Sequence, residues 1–149
     1  MEALRSCDIR AAVDRSFAFK GLASVERDAL EAAATAVRYA DGEVILREDE
    51  EGLELLLVVA GRVRVSILAA SGDVELAELG PGAIVGEVSV LMENRRTSTV
   101  TAAGEVDAIS FVADAVREIA NANPAFREVL LKLVEGRALH TISVVPQER

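Results

Sequence analysis

Residues Gly86 to Val100 read GEVSVLMENRRTSTV. A turn glycine, a carboxylate, two adjacent arginines and three consecutive hydroxyl side chains fall in this one segment, and strand-like apolar sequence lies on either side. Guanidinium and amide N–H groups suit a phosphate, and a carboxylate suits the hydroxyls of a sugar. The segment therefore predicts a site for an anion that carries ribose hydroxyls, provided that the fold turns these groups inward.

Length and composition predict one soluble globular domain. The chain has 149 residues, of which 51% are hydrophobic and 28% charged, which is enough for one domain with a real core. No apolar run approaches the roughly 20 residues needed to span a bilayer, and the first five residues do not resemble a secretory signal. We therefore expect a cytoplasmic location and no membrane partner.

The net charge and the scarcity of cysteine and histidine argue against nucleic-acid-binding proteins and metal enzymes. The net charge of −9 argues against nucleic acid as a partner, because a basic face normally binds the phosphate backbone. Cys7 is the single cysteine, which excludes an internal disulfide and a thiolate metal cluster. His140 is the single histidine, so the clustered imidazole ligands of a cupin-type metal enzyme are missing. We predict no catalytic residue and no metal site, and we interpret His140 as a helix-surface residue.

The pattern divides the chain into three segments of one domain. Residues 1–40 are predicted to be helical, with a second helix over about 25–38 and Ser24 as its N-cap. Residues 41–112 contain short apolar stretches separated by turn material, such as Gly61 and the predicted hairpin turn 71–73. Strands at this spacing without intervening helices indicate an antiparallel sandwich or roll.

Helix is predicted again in residues 113–149. One short helix is expected over 113–120, and Asn123-Pro124 is typical of the beginning of a last helix. Its apolar stripe runs from Phe126 to Val134 at helical spacing, and Arg137 holds the next position on the stripe. Either Arg137 marks the edge of the buried face, with its charged end in solvent, or it faces something polar held against the roll.

The order of helices and strands, together with several short motifs, resembles the cyclic-nucleotide-binding domain. This family includes the bacterial catabolite activator, the regulatory subunits of the cyclic-AMP-dependent kinase and the cyclic-nucleotide-gated channels. The motifs that recur in register are residues 41–45, Gly52, residues 58–61, 79–82, 86–87 and 96–100, and Asn123-Pro124. The resemblance implies a mainly β fold with flanking helices: an antiparallel, jelly-roll-like β-roll with N-terminal helices and a C-terminal lid helix.

The same resemblance implies that residues 86–99, beginning at Gly86, form the phosphate-binding cassette. Arg96 would pair with the cyclic phosphate through its planar fork, and Glu87 would accept a hydrogen bond from the ribose 2′-hydroxyl. The remaining contacts that the family implies come from the amides of Val88 and Ser89 and from the amide and hydroxyl of Thr97.

The implied ligand is cyclic AMP or cyclic GMP, with no further cofactor. By the same resemblance, Val65, Ala77 and Leu79 would lie along the base, and Arg137 would lie on the lid helix. A threonine at Thr97 could donate to the amino group of a guanine base in the syn conformation, but relatives with threonine there also accept cyclic AMP. The base preference therefore stays open.

Other interpretations remain for single residues. Glu87 and Arg96 could simply pair with each other on the surface. We expect Arg95 to be solvated, and Ser98 and Thr99 to be strand residues rather than ligands. The chain departs from the family at Asp49, where a glycine is frequent, at Leu53, where an acidic residue is frequent, and at residues 84–85, where aromatics are common. These departures affect turn chemistry and cassette packing rather than phosphate contacts.

Two functions follow from the sequence. The first is a regulatory sensor that binds a cyclic nucleotide and acts through a protein effector, through a homodimer or as a nucleotide sink. The second is a degenerate domain that works as a protein interaction module without nucleotide, with the apolar terminal helix as its interface. Relatives that bind DNA append a helix-turn-helix after the lid helix, and here only residues 145–149 follow.

Overall fold

The computed structural model describes residues 6–92 and 95–133. Two helices come first, α1 (Ser6–Arg15) and α2 (Ser24–Ala32), with a short 3₁₀ turn (Phe17–Phe19) between them. Two ion pairs connect the helices, Arg10 with Asp28 at 2.6 Å and Arg27 with Asp14 at 2.8 Å, and Arg10 also contacts Asp14 within α1 at 3.2 Å. The two helices therefore pack as one unit at the start of the chain.

The helix predicted over 25–38 is wrong in its second half, because residues Ala34–Tyr39 form the first strand, β1. The β-branched and aromatic side chains of Thr35, Val37 and Tyr39 favour a strand, and pairing with a later strand over the whole length of β1 stabilises it. The predicted cap is also off by one residue, since Ser24 is the first helical residue. The side chain of Glu26 accepts a hydrogen bond of 2.9 Å from the amide of Ala23.

Five further strands and β1 form one antiparallel sheet. They are β2 (Val44–Leu46), β3 (Glu54–Ala69), β4 (Gly72–Leu79), β5 (Ile84–Val85) and β6 (Thr99–Val112). The order is β1-β6-β3-β4, with β2 also paired to β6 and β5 also paired to β3. This arrangement confirms the predicted antiparallel roll with flanking helices.

The two longest strands are longer than the sequence predicted. Gly61 was expected to separate two strands, but the chain stays paired there and β3 continues through it. The register between β3 and β6 shifts on both sides of Ala60, and Gly61 adopts a φ of +89°. A bend thus replaces the predicted break. The hairpin turn is Ala70-Ser71 rather than residues 71–73, because Ala69 already pairs with Gly72.

Strand β3 lies between two hydrophobic cores. Leu55 and Leu57 pack with the helices, whereas Leu56 and Val58 face the interior of the roll, as alternation along a strand requires. The matching side chains of β6 divide in the same way, so that Phe111 packs against Phe19 with ring centroids 5.5 Å apart. Both faces are buried at residues 55–58 of β3 and 106–109 of β6, which explains the largely apolar sequence of these two stretches.

The chain ends, as far as the structure describes it, in two helices. Helix α4 covers Ala113–Ala122, and residues 124–133 form α5. The side chain of Asn123 accepts a hydrogen bond of 3.1 Å from the amide of Phe126, which confirms the predicted start of this helix. Arg137 and His140 lie outside the described residues. No helix within 6–92 and 95–133 is long and apolar enough to cross a bilayer.

Candidate functional site

The predicted cassette begins where strand β5 ends. Gly86 has a φ of +89°, and a Cβ atom there would lie 2.5 Å from Nη1 of Arg96 and 3.0 Å from the carbonyl oxygen of Glu54. Only glycine fits both the dihedral angle and this close approach. Helix α3 (Glu87–Met92) follows at once, so the cassette begins with a short helix.

The first turn of α3 carries the amides that the family resemblance singled out. The amide of Val90 donates to the carbonyl of Gly86 at 3.3 Å, so the helix begins directly after the glycine. The amides of Val88 and Ser89 precede it in the first turn, where N–H groups have no acceptor within the helix. They are therefore available to an acceptor outside the helix.

Arg96 is held inside the cassette by backbone carbonyls. It is 6% exposed, and its guanidinium donates from Nη1 to the carbonyl of Gly86 at 3.2 Å and from Nη2 to the carbonyl of Glu54 at 2.8 Å. These two acceptors belong to the start of the cassette and to the start of β3. The arginine thus ties the cassette to the sheet.

The acidic turn before β3 runs beside the same arginine. The amide of Arg96 donates to the carbonyl of Glu50 at 2.7 Å, and the amide of Asp49 donates to the carbonyl of Arg96 at 2.8 Å. Asp49 has a φ of +70°, which explains the frequent glycine at this position in the family. Arg95 donates to the carbonyl of Asp49 at 2.8 Å. Its side chain is exposed, which confirms the prediction that it is solvated.

Arg96 shares its surroundings with carboxylates. Burial lowers the pKa of its guanidinium, and the charges of Glu54, Glu87 and Glu50 oppose that shift by raising it. Glu87 is completely buried at the first position of α3. Because both Arg96 and Glu87 are buried, the interpretation of these residues as a surface ion pair does not apply to this structure.

The other predicted site residues lie in two places. Thr97 is exposed directly after Arg96. On the neighbouring ribbon Val65 pairs with Ala77 and Val63 pairs with Leu79, and these side chains line the interior core of the roll. The side chains of Val88 and Ser89 and all of Arg137 are outside what the structure describes.

The strand prediction for the end of the cassette is confirmed for one residue and wrong for the other. Thr99 begins β6, and its hydroxyl accepts a hydrogen bond of 3.0 Å from the amide of Glu48. Ser98 precedes the strand. Neither observation indicates that Ser98 or Thr99 contacts a ligand.

Sequence reasoning missed two side chains that support the site. Glu54 accepts a hydrogen bond from the hydroxyl of Ser110 on β6, in addition to the contact of its carbonyl with Arg96. Arg117 on α4 donates from Nε to the carbonyl of Val90 in α3 at 2.7 Å. Neither residue belongs to a short motif, and their roles depend on pairing between distant strands and helices.

The contact of Arg117 predicts that it stabilises the cassette helix. Val90 lies near the carboxyl end of α3, where carbonyls lack helical partners and a cation is favourable. We expect Arg117→Met to lower the free energy of unfolding by about 1–2 kcal/mol, as measured by urea denaturation. Arg64→Met is the matched control, because its side chain is 53% exposed and lies 3.7 Å from Glu75. Equal losses in the two variants would contradict a specific role for Arg117.

Comparison with known proteins identifies the family to which this fold belongs. The family model for the cyclic nucleotide-binding domain matches residues 36–123. A CRP-like cAMP-activated global transcriptional regulator of Mycobacterium tuberculosis is 30% identical over 128 residues, covering 85% of this chain and 57% of that protein. Acetyltransferase Pat of Mycolicibacterium smegmatis is 38% identical over 89 residues, covering 58% of this chain and 26% of the relative. The chain thus spans between about a quarter and just over half of these relatives.

Solved structures show the same architecture. The catabolite activator protein of Thermus thermophilus is 28% identical with a TM-score of 0.70, over 83% of this chain and 59% of that one. The regulatory subunit of a cAMP-independent protein kinase A from Trypanosoma brucei gives a TM-score of 0.77 at 22% identity, over 88% of this chain and 46% of that one. Because the family model covers most of the roll and both sides of the cassette, this chain belongs to the cyclic nucleotide-binding domain family.

Proposed function

We propose that this chain is a regulatory domain that binds cyclic AMP or cyclic GMP in the cassette of residues 86–99. The observation that carries the proposal is the buried guanidinium of Arg96, held at the start of α3 beside the buried carboxylate of Glu87. A cation, a carboxylate and first-turn amides converge there, which is the donor and acceptor set that a ribose phosphate needs.

Binding in this site requires the cassette to open. Arg96 is 6% exposed and Glu87 is fully buried, so a ligand reaches them only after the backbone contacts that hold Arg96 in the cassette have opened. Arg96 then exchanges the carbonyls of Gly86 and Glu54 for phosphate oxygens, and the ligand stabilises the rearranged state by its better fit to it.

The remaining contacts follow the family pattern. Val65, Ala77 and Leu79 would contact the base, Thr97 would contribute its amide and hydroxyl, and Arg137 would reach the ligand from the closing helix. We also propose that residues 1–40, 41–112 and 113–149 act as one domain, which signals to a protein effector or within a homodimer in the cytoplasm. The CRP-like relative is named as cAMP-activated, which supports a nucleotide-controlled regulatory role. The net charge of −9 is the reason why we propose no nucleic acid as a direct partner of this chain.

Calorimetric titration of the wild-type chain with cyclic AMP and cyclic GMP tests the proposal. Glu87→Gln sharpens the test when cyclic AMP is compared with its 2′-deoxy analogue. We expect the substitution to weaken cyclic AMP binding by about tenfold or more, since it removes a charged hydrogen-bond acceptor, and to leave the affinity for the 2′-deoxy analogue nearly unchanged. An equal loss of affinity for both ligands would show that Glu87 does not contact the 2′-hydroxyl of the ribose.

A second candidate is an interaction module that binds no nucleotide. Two observations favour it: the cassette groups are covered in the structure, and the similar Trypanosoma brucei subunit is named as cAMP-independent. This candidate predicts no heat with either cyclic nucleotide. The same titration therefore decides between the two functions.

A further inference from the structure

Glu54 places a second carboxylate in the candidate site, besides that of Glu87. Glu54 precedes Leu56 by two positions on β3, and Ser110 follows Ala108 by two on β6, so both lie on the face that looks into the roll. The hydroxyl of Ser110 donates to the carboxylate of Glu54. This bond fixes the carboxylate on the interior face.

Glu54 is adjacent to the cation that would bind the phosphate. Its carbonyl oxygen lies 2.8 Å from Nη2 of Arg96, and the charge of its carboxylate raises the pKa of the guanidinium, against the effect of burial. Glu87, fully buried, adds a second negative charge beside Arg96. Because Arg96 and Glu87 are buried and Glu54 is half-buried, salt screens these charges less than it screens exposed ones. In the described part of the cassette and of β3, two interior carboxylates thus surround one buried guanidinium.

We propose that Glu54 is a specificity-determining residue that restricts the site to phosphates with a single negative charge. Cyclic phosphodiesters carry one charge, whereas phosphomonoesters such as nucleoside 5′-phosphates carry nearly two at neutral pH. Arg96 neutralises the first charge, and the second meets Glu54 and Glu87. The inference rests on the proposed function and adds to it a reason why open-chain nucleotides are rejected.

The charge mechanism has a quantitative signature. Coulomb energy is proportional to the product of the charges, so the repulsion that Glu54 exerts on a doubly charged ligand is twice that on a singly charged one. If Glu54→Gln tightens the binding of a singly charged ligand by some factor, it tightens the binding of a doubly charged ligand by the square of that factor. A change of shape at residue 54 has no such relation to ligand charge.

The experiment measures three ligands by competition: cyclic AMP, adenosine 5′-phosphate and the methyl ester of adenosine 5′-phosphate. The methyl ester has the open shape of the 5′-phosphate but the single charge of a diester. For Glu54→Gln we expect about fivefold tighter binding of cyclic AMP and of the methyl ester, and about 25-fold tighter binding of the 5′-phosphate. Glu118→Gln removes one exposed carboxylate on α4 as a control for net charge, and it should shift all three affinities by less than about twofold.

The outcomes separate this inference from the proposed function. Wild-type protein that binds no cyclic nucleotide would overturn the proposed function and this inference with it. Binding of cyclic AMP with the same change for all three ligands in Glu54→Gln would overturn only the role of Glu54. Should that variant fail to fold, the wild-type chain decides: the methyl ester must bind at least about tenfold tighter than the 5′-phosphate, and equal affinities would contradict the inference.

Discussion

Replacing Arg96 by alanine is expected to weaken cyclic-nucleotide binding by about a thousandfold. In the proposed bound state the guanidinium is the buried partner of the phosphate, and truncation of one member of such a pair leaves the other charge desolvated at a cost of about 2–5 kcal/mol. Competition with a fluorescent cyclic nucleotide measures the loss. Urea denaturation must accompany it, since Arg96 also ties Gly86 to Glu54 in the ligand-free structure.

Two further variants show whether the loss of affinity depends on the position and shape of the Arg96 side chain rather than on its charge alone. Arg95→Ala removes the same charge from an exposed neighbour that contacts the carbonyl of Asp49, and it should weaken binding by less than about threefold. Arg96→Lys keeps the charge but loses the planar fork, so most of the thousandfold loss should remain. Similar losses for Arg95→Ala and Arg96→Ala would show that net charge alone attracts the ligand.

The substitution Gly61→Ala is expected to destabilise the protein by about 4 kcal/mol or more. Gly61 has a φ of +89°, which costs a residue with a Cβ atom about 1–2 kcal/mol. Its Cβ would also lie 2.3 Å from the carbonyl oxygen of Glu105 and 3.1 Å from the Cα of Val106. Because these atoms belong to the backbone of β6, the two central strands must move apart. Thermal or urea denaturation measures the change.

Gly42→Ala separates the two contributions. Gly42 has a φ of +81°, but nothing lies within 4 Å of a Cβ built on it. The control should therefore lose only the conformational part, about 1–2 kcal/mol. If Gly61→Ala lost no more than Gly42→Ala, the strands would be shown to tolerate the extra atom at the bend.

Much of the fold was predictable because glycines mark its special backbone positions. Gly61, Gly82 and Gly86 all have positive φ, and each belongs to a motif that the sequence shares with the family. The short apolar stretches separated by turn material in residues 41–112 also predicted the antiparallel roll correctly. These features depend on local sequence, so a single chain shows them.

The features that were missed depend on distant partners. Residues 34–39 follow an alanine-rich helix and continue its apolar pattern. Their side chains favour a strand, but pairing with β6 along the whole of β1 decides the outcome. A glutamate at the first position of a strand is typical of an exposed residue, yet register with β6 places Glu54 on the same face of the sheet as Ser110. Of the candidate site, Gly86, Glu87 and Arg96 were predictable together, whereas the neighbours that hold them were not.

The position of β3 between the two hydrophobic cores bears on how the domain can be divided. A fragment trimmed to the roll alone would expose Leu55, Leu57, Ile109 and Phe111, which pack with the helices in the whole domain. A continuous apolar sheet face of that kind promotes aggregation. Any minimal fragment engineered from this chain to carry the candidate cassette must therefore keep the helices to stay in solution.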